Sequence, residues 1–204
     1  MTFERAMVIL FTKVAQTVIA ERFTHTFFDN DGNRVRKVFA YLFSVFIAIF
    51  VNLFFHKPIF NFLSIFLGLS AIALSYNGTI KRKCIFVFYI LAVSCLIDLV
   101  VSAFLIKPFG YDGYSAFVSI FALLLLHATQ LITERFFEND LGIELNNRYW
   151  LFIIASLLVC IITSIVIFMD KTVSSFSLSL VCGAFLLVNI IISYLMDDLV
   201  KSSQ

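Results

Sequence analysis

The sequence predicts an all-α fold, a polytopic transmembrane helix bundle, on three observations. Of 204 residues 61% are hydrophobic and only 14% are charged, where soluble domains run at roughly half apolar and about a quarter charged. The apolar residues gather in runs close to the about 20 residues that a helix needs to cross a bilayer. Those runs are continuous rather than alternating, which excludes an outer-membrane barrel. The 26 Phe residues could not all be hidden in one soluble core of this size, because too little polar surface would remain to cover it.

The first element, 3–23, is the least apolar. Phe3, Met7, Leu10, Phe11, Val14 and Val18 form one face of a helix, while Arg5, Lys13, Gln16 and Thr17 lie elsewhere. Such a helix either spans with its polar face turned into the bundle or lies along the interface. The next six, at 38–55, 58–76, 84–106, 114–133, 149–169 and 176–196, are apolar throughout. The expectation is therefore seven spans in one domain, or six if the first helix is interfacial. No small-x-small cleavage site follows the interrupted first run, so the N-terminus is expected to be retained.

Orientation follows from Lys and Arg in short loops, which stay on the cytoplasmic side. One set of alternating connections holds Arg22, Arg34, Arg36, Lys37, Lys81, Arg82, Lys83, Arg135, Arg148 and Lys201. The opposite set holds only Arg5, Lys57, Lys107 and Lys171. This places the C-terminus in the cytoplasm. The outer connections are then short, His56-Lys57, 107–113 and 170–175, and leave no room for a folded ectodomain. A repeat is also visible. Glu21-Arg22-Phe23 followed by Phe27-Phe28-Asp29-Asn30-Asp31 recurs as Glu134-Arg135-Phe136-Phe137-Glu138-Asn139-Asp140 with one turn deleted, which divides the chain into a 3+1+3 parallel repeat about the helix at 84–106.

Few polar residues fall within the spans. Asp98 is the most informative, because a carboxylate at mid-membrane is costly and faces a partner or a water-filled cavity. Lys13 lies at similar depth if the first helix spans. Two readings follow: a Lys13–Asp98 pair, or a protonated Asp98 hydrogen-bonded to a neighbouring helix. His127 and Gln130, one turn apart, either line a site or hold helices together, and Gln16, Asn52, Asn61 and Asn189 read as interhelical hydrogen-bonders.

Other motifs dissolve on inspection. Asp29-Asn30-Asp31-Gly32-Asn33 resembles a calcium loop, but its glycine comes two residues early and no closing glutamate follows. The sequon Asn77-Gly78-Thr79 sits beside Lys81-Arg82-Lys83 on the inner face. Cys84, Cys95, Cys160 and Cys182 are widely spaced in or beside apolar runs and read as packing residues. No nucleophile elbow, phosphate loop, zinc motif or carboxylate pair occurs, so nothing supports catalysis by this segment alone, and no cofactor or metal is expected. The net charge of +2 is too mild for a nucleic-acid partner.

The polar-faced first helix ending in Glu21-Arg22-Phe23 and a basic turn, the Phe/Ile/Leu-rich spans on short loops, and the charged exit at Asp197-Asp198 form a pattern. It resembles the membrane sensor of peptide-pheromone receptor histidine kinases of the accessory gene regulator type, whose kinase belongs to the GHKL family, over nearly the whole chain. The resemblance implies a homodimeric receptor in a bacterial plasma membrane. A secreted peptide or small apolar ligand would be detected at the outer face, near His56, Phe109, Tyr111, Tyr114 and Lys171. Singly, each of these residues also fits an interfacial aromatic and lysine belt. The last span would signal to a cytoplasmic kinase, whose phosphorylated-histidine segment and nucleotide-binding boxes are not in the sequence, so a sensor portion or a kinase-less relative is expected. The processing protease of such systems is rejected, because its glycine-glycine-x-histidine signature is missing.

Two other classes compete with this reading. A 3+1+3 repeat also resembles SWEET-type sugar transporters, although Pro58 and Pro108 both fall at helix ends and give no matched mid-membrane break. A structural membrane subunit needs no ligand at all.

Overall fold

The computed structural model describes residues 3–28, 33–55, 58–111, 115–137, 154 and 157–164. All the secondary structure among them is helical. The order is α1 (Phe3–Phe27), α2 (Arg34–Phe54), α3 (Pro58–Ser75), α4 (Ile80–Val101), a π-helical turn (Ser102–Ile106), α5 (Lys107–Phe109) and α6 (Ala116–Phe137). Among the described residues three helices are long and apolar enough to cross a membrane, over Arg34–Phe54, Ile80–Ile106 and Ala116–Arg135, and Ile59–Ser75 is apolar but shorter. Of the expected segment at 149–169 only 154 and 157–164 are described, and the segment at 176–196, with Cys182, lies outside the described residues.

Several helices run past the apolar segments that announced them, for a local reason. Asn33 caps α2 by accepting a hydrogen bond from Val35 N at 3.0 Å, and Thr79 caps α4 by accepting from Arg82 N at 3.5 Å. Each cap starts its helix ahead of a basic cluster, so Arg34, Arg36 and Lys37, and likewise Lys81, Arg82 and Lys83, occupy first turns rather than loops. Hydropathy marks where a membrane begins, whereas capping marks where a helix begins. At the far end of α4 the cause is Pro108, which has no N–H and whose ring would meet the carbonyl of Phe104 in a regular helix. The widened π turn just before it takes up this misfit. Gly110, at φ 67, then turns the chain out of α5 in a left-handed conformation that side chains resist.

Successive long helices alternate in direction. The end of α1, the start of α2, the end of α3, the start of α4 and the end of α6 meet at one pole, the basic end, which carries Arg22, Arg34, Arg36, Lys37, Lys81, Arg82, Lys83 and Arg135. There Thr24 Oγ1 lies 3.2 Å from the Tyr41 hydroxyl and 3.0 Å from that of Tyr76, and the two tyrosine hydroxyls are 3.0 Å apart. Three helices thus share one ring of hydroxyls. Phe28 stacks on Tyr76 at 5.4 Å and meets Phe86 edge-on at 5.2 Å, and Phe27 meets Phe86 and Tyr89 at 5.7 Å. Tyr89 in turn lies 2.7 Å from Thr133 Oγ1, which ties α4 to α6. Lys37 Nζ stands 4.2 Å above the Tyr76 ring.

The surface is apolar where a soluble protein's would be polar. Val38, Phe39, Leu42, Phe43, Phe46, Phe50 and Phe54 of α2 are all exposed. On α1 the exposed side chains include Met7, Leu10, Phe11, Val14 and Val18, while Lys13 is buried. That arrangement is inside-out for water and correct for lipid.

Candidate functional site

A cavity of ≈ 120 Å³ opens between α1, α2, α3, α4 and α6. Its walls include Ala20, Phe23, Ile65, Leu69, Ile97 and Leu126. Its polar groups come from four helices: Lys13, Gln16 and Thr17 from α1, Ser44 from α2, Asn61 from α3, Ser94 and Asp98 from α4. The spacing explains the convergence. Lys13, Gln16 and Thr17 fall within one turn of α1, and Ser94 and Asp98 are one turn apart on α4.

Lys13 and Asp98 thus line one cavity, but no ion pair or hydrogen bond joins them among the described residues. The ammonium of Lys13 instead donates to Gln16 Oε1 at 3.1 Å. The Thr17 hydroxyl donates back to the Lys13 carbonyl at 2.9 Å and is satisfied on its own helix. Asn61 accepts from Asn52 Nδ2 at 2.8 Å, an α2–α3 bond, and Asn52 also reaches the Ala48 carbonyl at 2.8 Å. Asp98, expected among the buried polar residues, is instead exposed where it lines the cavity, and its carboxylate, like the hydroxyls of Ser44 and Ser94, has no hydrogen-bond partner among the described residues. These groups are left to whatever fills the space.

The other sequence-derived candidates fall elsewhere. His127 is half-buried on α6 beside the cavity-lining Leu126. Gln130, one turn further, is fully buried, and neither its Nε2 nor its Oε1 has a partner among the described residues. Phe109 and Tyr111 are exposed at the pole opposite the basic end, 6.2 Å apart, and Tyr111 lies 5.5 Å from Phe117. His56, Tyr114, Lys171 and Asn189 lie outside the described residues. Among the described residues no group of three His, Cys, Asp or Glu could hold a metal ion.

Sequence reasoning missed Ser44, Ser94 and Phe117, together with the Thr24–Tyr41–Tyr76 ring. Single hydroxyls inside apolar runs leave no periodic trace, because a serine can turn its hydroxyl back to its own helix anywhere in a span. One signal existed for Ser94, which lies one turn before Asp98 and shares its face. Comparison with protein-family models, characterised proteins and solved structures finds no match to this chain.

Proposed function

We propose that the chain is a membrane-embedded receptor, a seven-span bundle in a bacterial plasma membrane with its basic end and C-terminus in the cytoplasm. It detects a secreted peptide or small apolar ligand at the outer face and passes the signal through its last apolar segment, 176–196, to a histidine kinase, acting as a homodimer. The observation that carries this reading is the exposed aromatic group Phe109, Tyr111 and Phe117. It sits beside the π turn, at the pole facing away from the basic cluster. An apolar ligand partitioned into the outer leaflet meets such rings without any ectodomain. A ligand changes the bundle only by binding one arrangement better than another, and the irregular turn at Ser102–Ile106 offers a place where the helix can adjust.

The inside-out amphipathicity of α1 supports counting it as a span, because its exposed stripe is apolar and its buried face carries Lys13. The 3+1+3 repeat rests on the sequence match, whose second copy passes the end of α6 at 138–140. Photo-crosslinking of a secreted peptide to the protein in native membranes tests the receptor reading. Labelling within 107–117 is expected, and labelling confined to the basic end would overturn it.

The polar cavity also favours a second reading, a small solute transporter, since transported polar solutes need such a chamber at mid-membrane. Proteoliposomes separate the two. A transporter moves solute across the vesicle wall with no output domain, whereas a receptor leaves it outside.

A further inference from the structure

The cavity holds a positive group on α1 and a negative group on α4 that share a space of ≈ 120 Å³ without touching. Lys13 is buried, whereas Asp98 is exposed and lines the same space, so its carboxylate is open to whatever enters the cavity. Lys13 is held by Gln16 on its own helix, and Asp98 faces the cavity one turn beyond Ser94.

The unpartnered acceptor at Asp98, the hydroxyls of Ser44 and Ser94, and the ammonium at Lys13 define a dipolar chamber with apolar walls at Ile65 and Leu69. We propose that this chamber binds a small zwitterion of amino-acid size, its ammonium on Asp98 and Ser94 and its carboxylate on Lys13. A cavity of about 150 Å³ admits a benzene-sized molecule, so the space suits a compact solute and excludes a peptide. A singly charged solute would leave one of the two fixed charges without a counter-charge, and the size and the charge pattern together select the class. This site is distinct from the aromatic group near Tyr111 and holds whichever function is correct.

The test uses the full chain in lipid nanodiscs and three probes of matched size: L-alanine, propylamine and propionate. Saturable binding is expected for alanine and at least about tenfold weaker binding for the two singly charged probes. Lys13→Met and Asp98→Asn should each weaken alanine binding by about tenfold or more. Because either change could disturb folding, Ala48→Leu provides a second arm. It fills the chamber from α2 without touching a charge, and should abolish binding while helicity and gel-filtration profile stay unchanged.

The proposal is overturned if alanine binds no better than propylamine or propionate. It is equally overturned if folded Lys13→Met, Asp98→Asn and Ala48→Leu proteins bind alanine as the unaltered protein does. The first outcome would show that the chamber does not select a zwitterion, and the second that alanine binds elsewhere. The peptide crosslinking result is unaffected by either outcome.

Discussion

At the scale of single residues, closeness between α2 and α3 depends on Gly68. A Cβ added there would meet the Ser44 side chain and lie 3.1 Å from Ser44 Cβ and 3.3 Å from its Cα, so the contact is with atoms fixed to the backbone. In lipid no hydrophobic force presses helices together, and small residues set how near they come. Gly68→Ala should therefore cost about 1–3 kcal/mol, read as a lower midpoint in detergent-titration unfolding. Ser44→Gly in the same chain should restore part of the loss. If the double variant unfolds with Gly68→Ala, the contact does not carry the effect.

The hydroxyl ring allows a second prediction of this kind. Tyr41→Phe and Tyr76→Phe each remove one hydroxyl from a ring of three, and each should cost about 0.6 kcal/mol, with 1.7 near the upper bound. Their combination should cost less than the sum, because each change already breaks the bond the other would break. Strict additivity in a double-mutant cycle would show that the two hydroxyls do not interact. None of this was visible in the sequence. Thr24, Tyr41 and Tyr76 stand far apart in chain position, and nothing local distinguishes a tyrosine that anchors from one in an aromatic belt.

At the scale of elements, the sequence was most informative where composition alone decides. The apolar runs at 38–55, 58–76, 84–106 and 114–133 coincide with α2, α3, α4 with its π turn, and α6, but several ends differ by a turn because caps obey hydrogen bonding rather than hydropathy. The π turn itself was recoverable from Pro108, whose steric demand falls on the residue four before it. For α1 the period of Met7, Leu10, Phe11, Val14 and Val18 marked one face, and the exposed side chains show that it points outward.

The direction of that face is testable. In single-cysteine variants of an otherwise cysteine-free chain, Val14→Cys should react with a lipid-soluble maleimide and resist a charged one. Gln16→Cys, which replaces a cavity-lining side chain, should react with a small water-soluble thiosulfonate. Equal reactivity of both positions toward the charged reagent would place α1 at the membrane surface instead.

At the scale of the whole molecule, the basic residues gather at one pole because five helix ends converge there, and their charge is what a cytoplasmic face requires. A fluorescent protein fused after Gln204 should therefore mature and fluoresce, whereas an alkaline phosphatase fused at the same point should be inactive. The reverse pair of outcomes would invert the topology. That Asp98 and Lys13 share one space was legible, because charges within apolar helices have few other places to go. Their separation was not, since whether two charges touch is decided by Gln16, by the side chains between them and by the helix crossings.

The aromatic and hydroxyl cluster at the basic end acts as a fulcrum. With Thr24, Tyr41 and Tyr76 holding three helices in one ring and Phe28 wedged against Phe86, this end resists splaying, so bending accumulates toward the other. α1 has 25 residues and, at 1.5 Å per residue, is a rod of roughly 37 Å. A pivot of about 5° at its foot swings the far end by roughly 3 Å, enough to open or close a chamber the size of the one it lines. The bundle is thereby a lever clamped at its basic end. On the receptor reading, a stimulus at the far pole gains amplitude as displacement there and loses it toward the clamp, so an output at the basic end must travel through a part of the chain that the clamp does not hold.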